Sequence, residues 1–269
     1  RRDVNMKLDR VVFALNSNPL YSGMWNIVSE VYSKKTPLIP TLLFAGTQEE
    51  LEKEVNFNFG EVYLLPKHEE FISNPSLDWT VTWSLYWGIA NLFPNDFCLT
   101  SGIDEIPLSS ALWDRIEPID DSKFVVGLGP HPYGPEKLIG SGQNSGKGST
   151  FKKVFNIDND LHDELNKVWS IKTQLPRASS IGRGNNWWGL DEDYISTFVF
   201  DSPDVYFLEE AWVSENLQSK KICRSRDGFG YNAELINNGF YWTAHMVRPL
   251  SDPNNQALID KLLKDIRIR

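Results

Sequence analysis

Arg10-Val11-Val12-Phe13-Ala14-Leu15-Asn16-Ser17-Asn18-Pro19 is the stretch that decides the fold. A short β-branched and apolar run is halted by a turn cluster, which predicts a strand delivered into a polar loop. The pattern then alternates outward from it. Residues 22–34 read as a helix, because Trp25, Val28, Ser29 and Tyr32 fall near i, i+3, i+4 and i+7 and Pro37 stops the run. Residues 38–44 are a second strand, in which Pro40 suggests an edge or a bulge. Thr47-Gln48-Glu49-Glu50 has the spacing of a capping box and opens a short acidic helix. Residues 61–65 form a third strand, Asp78 caps a helix over 79–93, and residues 97–100 and 124–128 are the fourth and fifth strands. This rhythm predicts an α/β chain with a doubly wound, mostly parallel sheet and helices on both faces. In such sheets ligands bind beyond the carboxyl ends of the strands, so the segments after strands one and four carry most interest: Asn16-Ser17-Asn18-Pro19 and Ser101-Gly102-Ile103-Asp104-Glu105.

The remainder is less regular. Gly140-Ser141-Gly142-Gln143-Asn144-Ser145-Gly146-Lys147-Gly148-Ser149 reads as a mobile low-complexity loop. It is not a P-loop, since the glycine required five positions before Gly146 is Ser141 and Lys147 is followed by Gly148. Residues 195–200, 205–208 and 240–244 look strand-like, and residues 255–266 look helical.

The chain has 269 residues, 41% of them hydrophobic and 23% charged, a composition that excludes dominant disorder. No run approaches the ~18 apolar residues of a membrane span, and the start lacks a signal-peptide core. Two cysteines, Cys98 and Cys223, are too few for a disulfide framework or a zinc cluster. A soluble, cytoplasmic protein in a reducing compartment is expected, with no membrane and no obligate protein partner. The net charge of −9 argues against nucleic acid, but its distribution is uneven. Residues 45–121 hold fifteen acids and three bases, whereas residues 122–190 hold nine bases and five acids. Uneven surface charge and a middle segment facing an anionic partner both account for this.

Three constellations could carry chemistry. Asp104 and Glu105 follow a buried strand and a Gly turn, where oxygen ligands suit Mg²⁺ or Mn²⁺ on a diphosphate; a helix cap is the plainer reading. Trp187-Trp188-Gly189-Leu190-Asp191-Glu192-Asp193 sets two aromatics beside acids able to take a proton from an acceptor hydroxyl, or is simply the acidic start of a helix. His245, with Arg248 three residues on, closes a late apolar run; it could meet a phosphate or be a hydrogen-bonded core residue. Trp79, Trp83 and Trp87 form a helical stripe that reads as packing.

Together these segments resemble the GT-A nucleotide-sugar glycosyltransferases. The strings 15–25, 78–83, 101–108 and 188–192 also look like the TET/JBP-associated glycosyltransferases, phage and kinetoplastid enzymes that act on hydroxymethylated pyrimidines in DNA. The resemblance implies one GT-A-like domain over 1–269, with residues 1–130 binding the nucleotide sugar and 131–269 binding the acceptor. It implies Asp104 and His245 as ligands of Mn²⁺ or Mg²⁺, and Asp191 or Glu192 as the catalytic base of an inverting hexosyl transfer. Asn16, Ser17, Asn18, Ser101, Gly102, Ile103 and Arg248 would hold a UDP-sugar donor, and Trp187, Trp188, Arg183 and Lys147 the acceptor, a 5-hydroxymethylcytosine-type base of DNA in a phage-infected host cytoplasm. One departure stands out: the first acid of the family's Asp-x-Asp motif is Gly102 here. The rivals are a glycan-building transferase with a saccharide acceptor and a non-catalytic protein that binds carbohydrate or nucleotide sugar. A dehydrogenase is disfavoured, because no Gly-x-Gly-x-x-Gly follows the first strand.

Overall fold

The computed structural model describes residues 7–65, 78–127, 139–158, 160–171, 174, 190–208, 221–223 and 228–268. In chain order the described elements are β1 (Arg10–Asn16), α1 (Met24–Lys35), β2 (Ile39–Ala45), α2 (Gln48–Glu54), β3 (Glu61–Leu65), α3 (Asp78–Leu92), β4 (Phe97–Thr100), β5 (Glu105–Pro107), α4 (Trp113–Ile116), β6 (Phe124–Val126), β7 (Asn144–Lys147), α5 (Gly148–Phe155), α6 (Leu161–Ile171), α7 (Leu190–Val199), β8 (Val205–Phe207), β9 (Lys221–Cys223), α8 (Ala233–Asn237), β10 (Thr243–His245) and α9 (Pro253–Asp265). A seven-stranded sheet runs β3-β2-β1-β4-β7-β6-β8, and a small sheet runs β5-β10-β9. The strands of the large sheet pair parallel except for β7, which is antiparallel to both neighbours. This is the expected mostly parallel, doubly wound architecture.

Strand alternation explains why both faces of the sheet are covered. Val11, Phe13 and Leu15 of β1 enter one core, against Trp25, Val28 and Tyr32 of α1 and Ile259, Leu262 and Leu263 of α9. Val12 points the other way, into a core with Leu43 of β2, Trp83, Tyr86 and Ile89 of α3, Phe151 and Phe155 of α5, and Tyr194 of α7. Successive side chains project to opposite faces, so a strand apolar at consecutive positions needs cover on both. Edge-to-face contacts lock each layer: Phe13 meets Tyr32 at 5.4 Å on one side, and Trp83 meets Tyr194 at 4.7 Å on the other. The stripe read as packing is therefore core at Trp83, with Trp87 packed at its fringe; the side chain at 79 lies outside the described residues. α2 begins with the predicted capping box, in which Thr47 accepts from the Glu50 amide and Glu50 accepts from the Thr47 amide. No helix among the described residues is long and apolar enough to cross a membrane.

Three expectations are corrected. Pro40 does not mark an edge strand, because β2 lies between β1 and β3; pairing with β3 begins at Thr41, so the missing N–H sits just before that ladder. The glycine-rich stretch is not a mobile loop. Its residues 144–147 are β7, buried at the middle of the sheet, and its last residues open α5. Asn144 can occupy that place because its donors are bonded: it donates to the Tyr86 hydroxyl at 2.8 Å and to the Gly140 carbonyl at 2.8 Å, while Thr100 accepts from the Asn144 amide at 2.9 Å. Gly148 lets α5 start against α3, since a Cβ there would stand 2.2 Å from the Phe93 carbonyl oxygen. Finally, residues 195–199 are helical, not strand. The acids Asp191, Glu192 and Asp193 occupy the first turn of α7, where they suit the helix dipole.

Candidate active site

The large sheet reverses direction of winding between β1 and β4, and the loops leaving those two strands diverge to form a cleft of about 240 Å³. Asn16 ends β1, and two side-chain turns shape the loop beyond it. Asn16 Oδ1 accepts from the Asn18 amide at 3.1 Å, and Asn18 Oδ1 accepts from the Leu20 amide at 3.0 Å. Ser17 turns away and donates to Glu50 at 3.1 Å. From β4 the chain passes through Ser101 and Gly102 into a tight turn closed by the Glu105 amide donating to the Gly102 carbonyl at 2.9 Å. A Cβ on Gly102 would lie 3.0 Å from Asp104 Oδ1, so the turn has little room for a side chain there.

The small sheet explains how residues 141 positions apart meet. β10 pairs antiparallel with β5, with His245 opposite Glu105, and the Met246 amide donates to the Asp104 carbonyl at 2.8 Å. The Asp104 carboxylate is buried, and one of its oxygens, Oδ2, lies 3.1 Å from His245 Nε2 and 3.3 Å from Arg248 Nη1. Arg248 in turn lies over the Tyr21 ring, 4.3 Å from its centroid. Glu105 points elsewhere: it accepts from Lys221 of β9 and, at 2.8 Å, from the Gln143 side chain.

The electrostatics follow from these contacts. Burial works to lower the His245 pKa, but the charge and hydrogen bond of Asp104, with help from Cys223 and Glu105, prevail and raise it to about 9. His245 is thus an imidazolium at neutral pH. Burial lowers the Arg248 pKa to about 10, which leaves it charged. For Glu105 burial favours the neutral acid, yet Lys221, His245 and Gln143 outweigh it and hold its pKa below the usual carboxylate value.

Asp104, Asp191, Glu192, His245, Arg248, Asn16, Ser101, Gly102 and Ile103 all line this one cleft. Asp191 and Glu192 reach it from the first turn of α7, and Val81, Thr82 and Leu85 of α3 give it an apolar wall. Lys147 is not brought to the cleft. It pairs with Phe97 at the amino end of β4, the far end of the sheet from the cleft, and its ammonium binds Asp121 at 3.2 Å. Its expected contact with an acceptor is corrected on that ground. Trp187, Trp188 and Arg183 lie outside the described residues. Sequence reasoning gave no role at the site to Tyr21 or Gln143, and did not pair Lys221 with Glu105. No local signal marks Lys221, whose partner is 116 residues away.

The donor set does not suit the expected Mn²⁺ or Mg²⁺ on Asp104 and His245. Mg²⁺ is bound through one or two carboxylates together with substrate phosphates and water, whereas the carboxylate that the turn offers, Asp104, is already engaged by His245 at 3.1 Å and Arg248 at 3.3 Å, and Glu105 is committed to Lys221 and Gln143. Among the described residues no group of three His, Cys, Asp or Glu side chains is arranged to hold a metal ion. Asp104 and His245 contact one another directly at 3.1 Å.

Known structures share this arrangement of elements. The galactosyltransferase LgtC, solved in complex with donor and acceptor sugar analogues, aligns over 93% of this chain and 94% of its own with a TM-score of 0.52 at 13% identity. An active-site mutant of LgtC aligns over 94% and 95% with a TM-score of 0.50 at 12% identity. The fold is of the GT-A type. The apo form of the glycosyltransferase GlyE from Streptococcus pneumoniae TIGR4 aligns less well, with a TM-score of 0.49 at 12% identity over 97% of this chain and 61% of its own. No family model matches the sequence, and no curated protein matches it. In this GT-A fold the cleft occupies the end of the sheet where the strand order reverses.

Proposed function

We propose that the protein is a glycosyltransferase that moves a sugar from a nucleotide diphosphate, taken here as UDP, to a hydroxyl acceptor. The observation that carries this reading is the convergence of Asp104, His245, Arg248 and the Asp191–Glu192 pair on one cleft at the carboxyl ends of β1 and β4. Cations beside a carboxylate pair suit a reaction with an anionic leaving group and a hydroxyl that must lose a proton.

In this reading the turn at Asn16–Asn18 and the backbone at Ser101–Gly102 hold the nucleoside, and Arg248 meets the diphosphate with a fork of N–H donors. The bond between the anomeric carbon and the diphosphate oxygen breaks, and its electron pair leaves with the nucleotide while positive charge builds on the sugar ring. Asp191 or Glu192 takes the proton of the acceptor hydroxyl, whose oxygen forms the new bond to the same carbon. A single displacement from the opposite side inverts the anomeric centre. Residues from both halves of the chain then serve the donor, so the division at about residue 130 separates segments more than tasks.

For the acceptor, the ion pairs favour a neutral saccharide over hydroxymethylated DNA. Four of the described lysines are matched with acids: Lys147 with Asp121 at 3.2 Å, Lys153 with Asp204 at 2.8 Å, Lys167 with Glu164 at 3.7 Å, and Lys221 with Glu105. Phosphate contacts supply most of the affinity for DNA, and paired lysines contribute less to them.

The test is nucleotide release. The protein is incubated with UDP-, GDP- and dTDP-sugars, with EDTA and separately with Mn²⁺, alone and with either hydroxymethylcytosine DNA or an oligosaccharide mixture. UDP release that rises with an acceptor supports the reading, and NMR of the product gives the anomeric outcome. Absence of nucleotide binding and of release under every condition refutes it.

A further inference from the structure

We propose that Arg248, and not a bound divalent cation, neutralises the donor diphosphate, so that transfer proceeds without added metal. This rests on the proposed function, in which the cleft takes a nucleotide-diphosphate sugar.

Three observations point to it. First, the guanidinium lines the cleft beside the carboxylate expected to anchor a metal. It lies 3.3 Å from Asp104 Oδ2 and over the Tyr21 ring, 4.3 Å from the centroid, two contacts that hold a side chain otherwise costly to order. Arginine carries five N–H donors, so it can keep Asp104 and still present a pair of donors to phosphate oxygens. Second, the turn carries glycine at 102, so Asp104 is the acid of the turn that lines the cleft. Third, Glu105, the remaining acid of the turn, is committed to Lys221 and Gln143. The turn therefore offers the cleft one carboxylate with the Arg248 guanidinium beside it, placed to meet an anion. Fixed cationic clamps on a departing phosphate can supply the stabilisation otherwise given by Mg²⁺.

The test measures UDP binding by isothermal titration calorimetry, and donor turnover, for the wild type in EDTA and in Mn²⁺ or Mg²⁺. Arg248→Gln and Arg248→Lys are compared in EDTA, with thermal unfolding as the check on folding. Wild-type affinity and rate should agree within about twofold with and without metal, and Arg248→Gln should bind UDP about 10- to 100-fold more weakly, the loss of a charged hydrogen-bonding partner. Arg248→Lys should fall between, since it keeps the charge and loses the fork. UDP binding that appears only with Mn²⁺ or Mg²⁺ overturns the proposal while leaving the transferase reading intact. Arg248→Gln binding UDP like the wild type overturns it equally. Failure of the wild type to bind UDP in either condition overturns the transferase reading itself. The metal comparison needs no variant, so it decides the matter even if Arg248→Gln does not fold.

Discussion

Replacing His245 with Gln removes an ionisable group beside Asp104 but keeps a side chain that can donate to the carboxylate. The His245 pKa is raised from 6.5 to about 9 in the folded protein, and the side chain is 25% exposed. A group whose folded pKa is raised adds stability that is fully present below its unfolded pKa and is lost as pH climbs through the folded one. The window therefore runs from about pH 6.5 to 9. A shift of roughly two and a half units corresponds to about 3 kcal/mol at ~1.4 kcal/mol per unit. The assay is urea unfolding of wild type and His245→Gln at half-unit steps from pH 6 to 9.5. Wild type minus variant should fall by about 3 kcal/mol across the series, most of it above pH 6.5. Taking the difference removes the titration of groups common to both proteins. A difference that stays flat, or grows with pH, would refute the account of the Asp104–His245 pair.

Three further outcomes are expected. Lys221→Met leaves Glu105 buried without its ammonium partner and should destabilise by about 3 kcal/mol near pH 7; urea unfolding at pH 5 should show a smaller loss, because Glu105 can then take up a proton. Of Asp191→Asn and Glu192→Gln, the one that removes the base should lower kcat by about 10²- to 10⁴-fold with little change in the donor KM, and steady-state kinetics that show neither effect would remove α7 from the chemistry. Gly148→Ala should cost about 3 kcal/mol or more in thermal or urea unfolding, because the new methyl meets the carbonyl oxygens of Phe93 at 2.2 Å and Ile89 at 2.5 Å, and backbone cannot step aside.

The parts of the fold legible in the sequence were those governed by neighbours along the chain. β3 and β4 match their predicted bounds, and the capping box at Thr47 forms as read, because each depends on a run or a spacing of a few residues. β7 was illegible for the opposite reason. Asn144, Ser145 and Gly146 carry no apolar signal, and their burial depends on Thr100, Tyr86 and Gly140, whose part in it appears only once the sheet exists. Residues 195–199 misled because aromatic and β-branched residues favour strands in isolation, while packing of Tyr194 on Trp83 belongs to a helix. At the site, Asp104, His245, Arg248, Asp191 and Glu192 were each visible as oddities of composition, and the cleft gathers them. What the sequence withheld was their state of pairing. That Asp104 and His245, 141 positions apart, stand in contact at 3.1 Å is written nowhere in the letters around either of them.

The placement of β7 bears on how the protein is made. β4 reaches β6 and β8 only through it, so a ribosome that has not yet passed residue 147 holds a four-stranded platform with one raw flank and a detached β6. The amino-terminal portion without β7 would present β4 as an open edge. Its exposed flank would recruit any passing extended peptide. Synthesis of residues 144–147 covers that sticky flank and gives β6, and later β8, a place to dock.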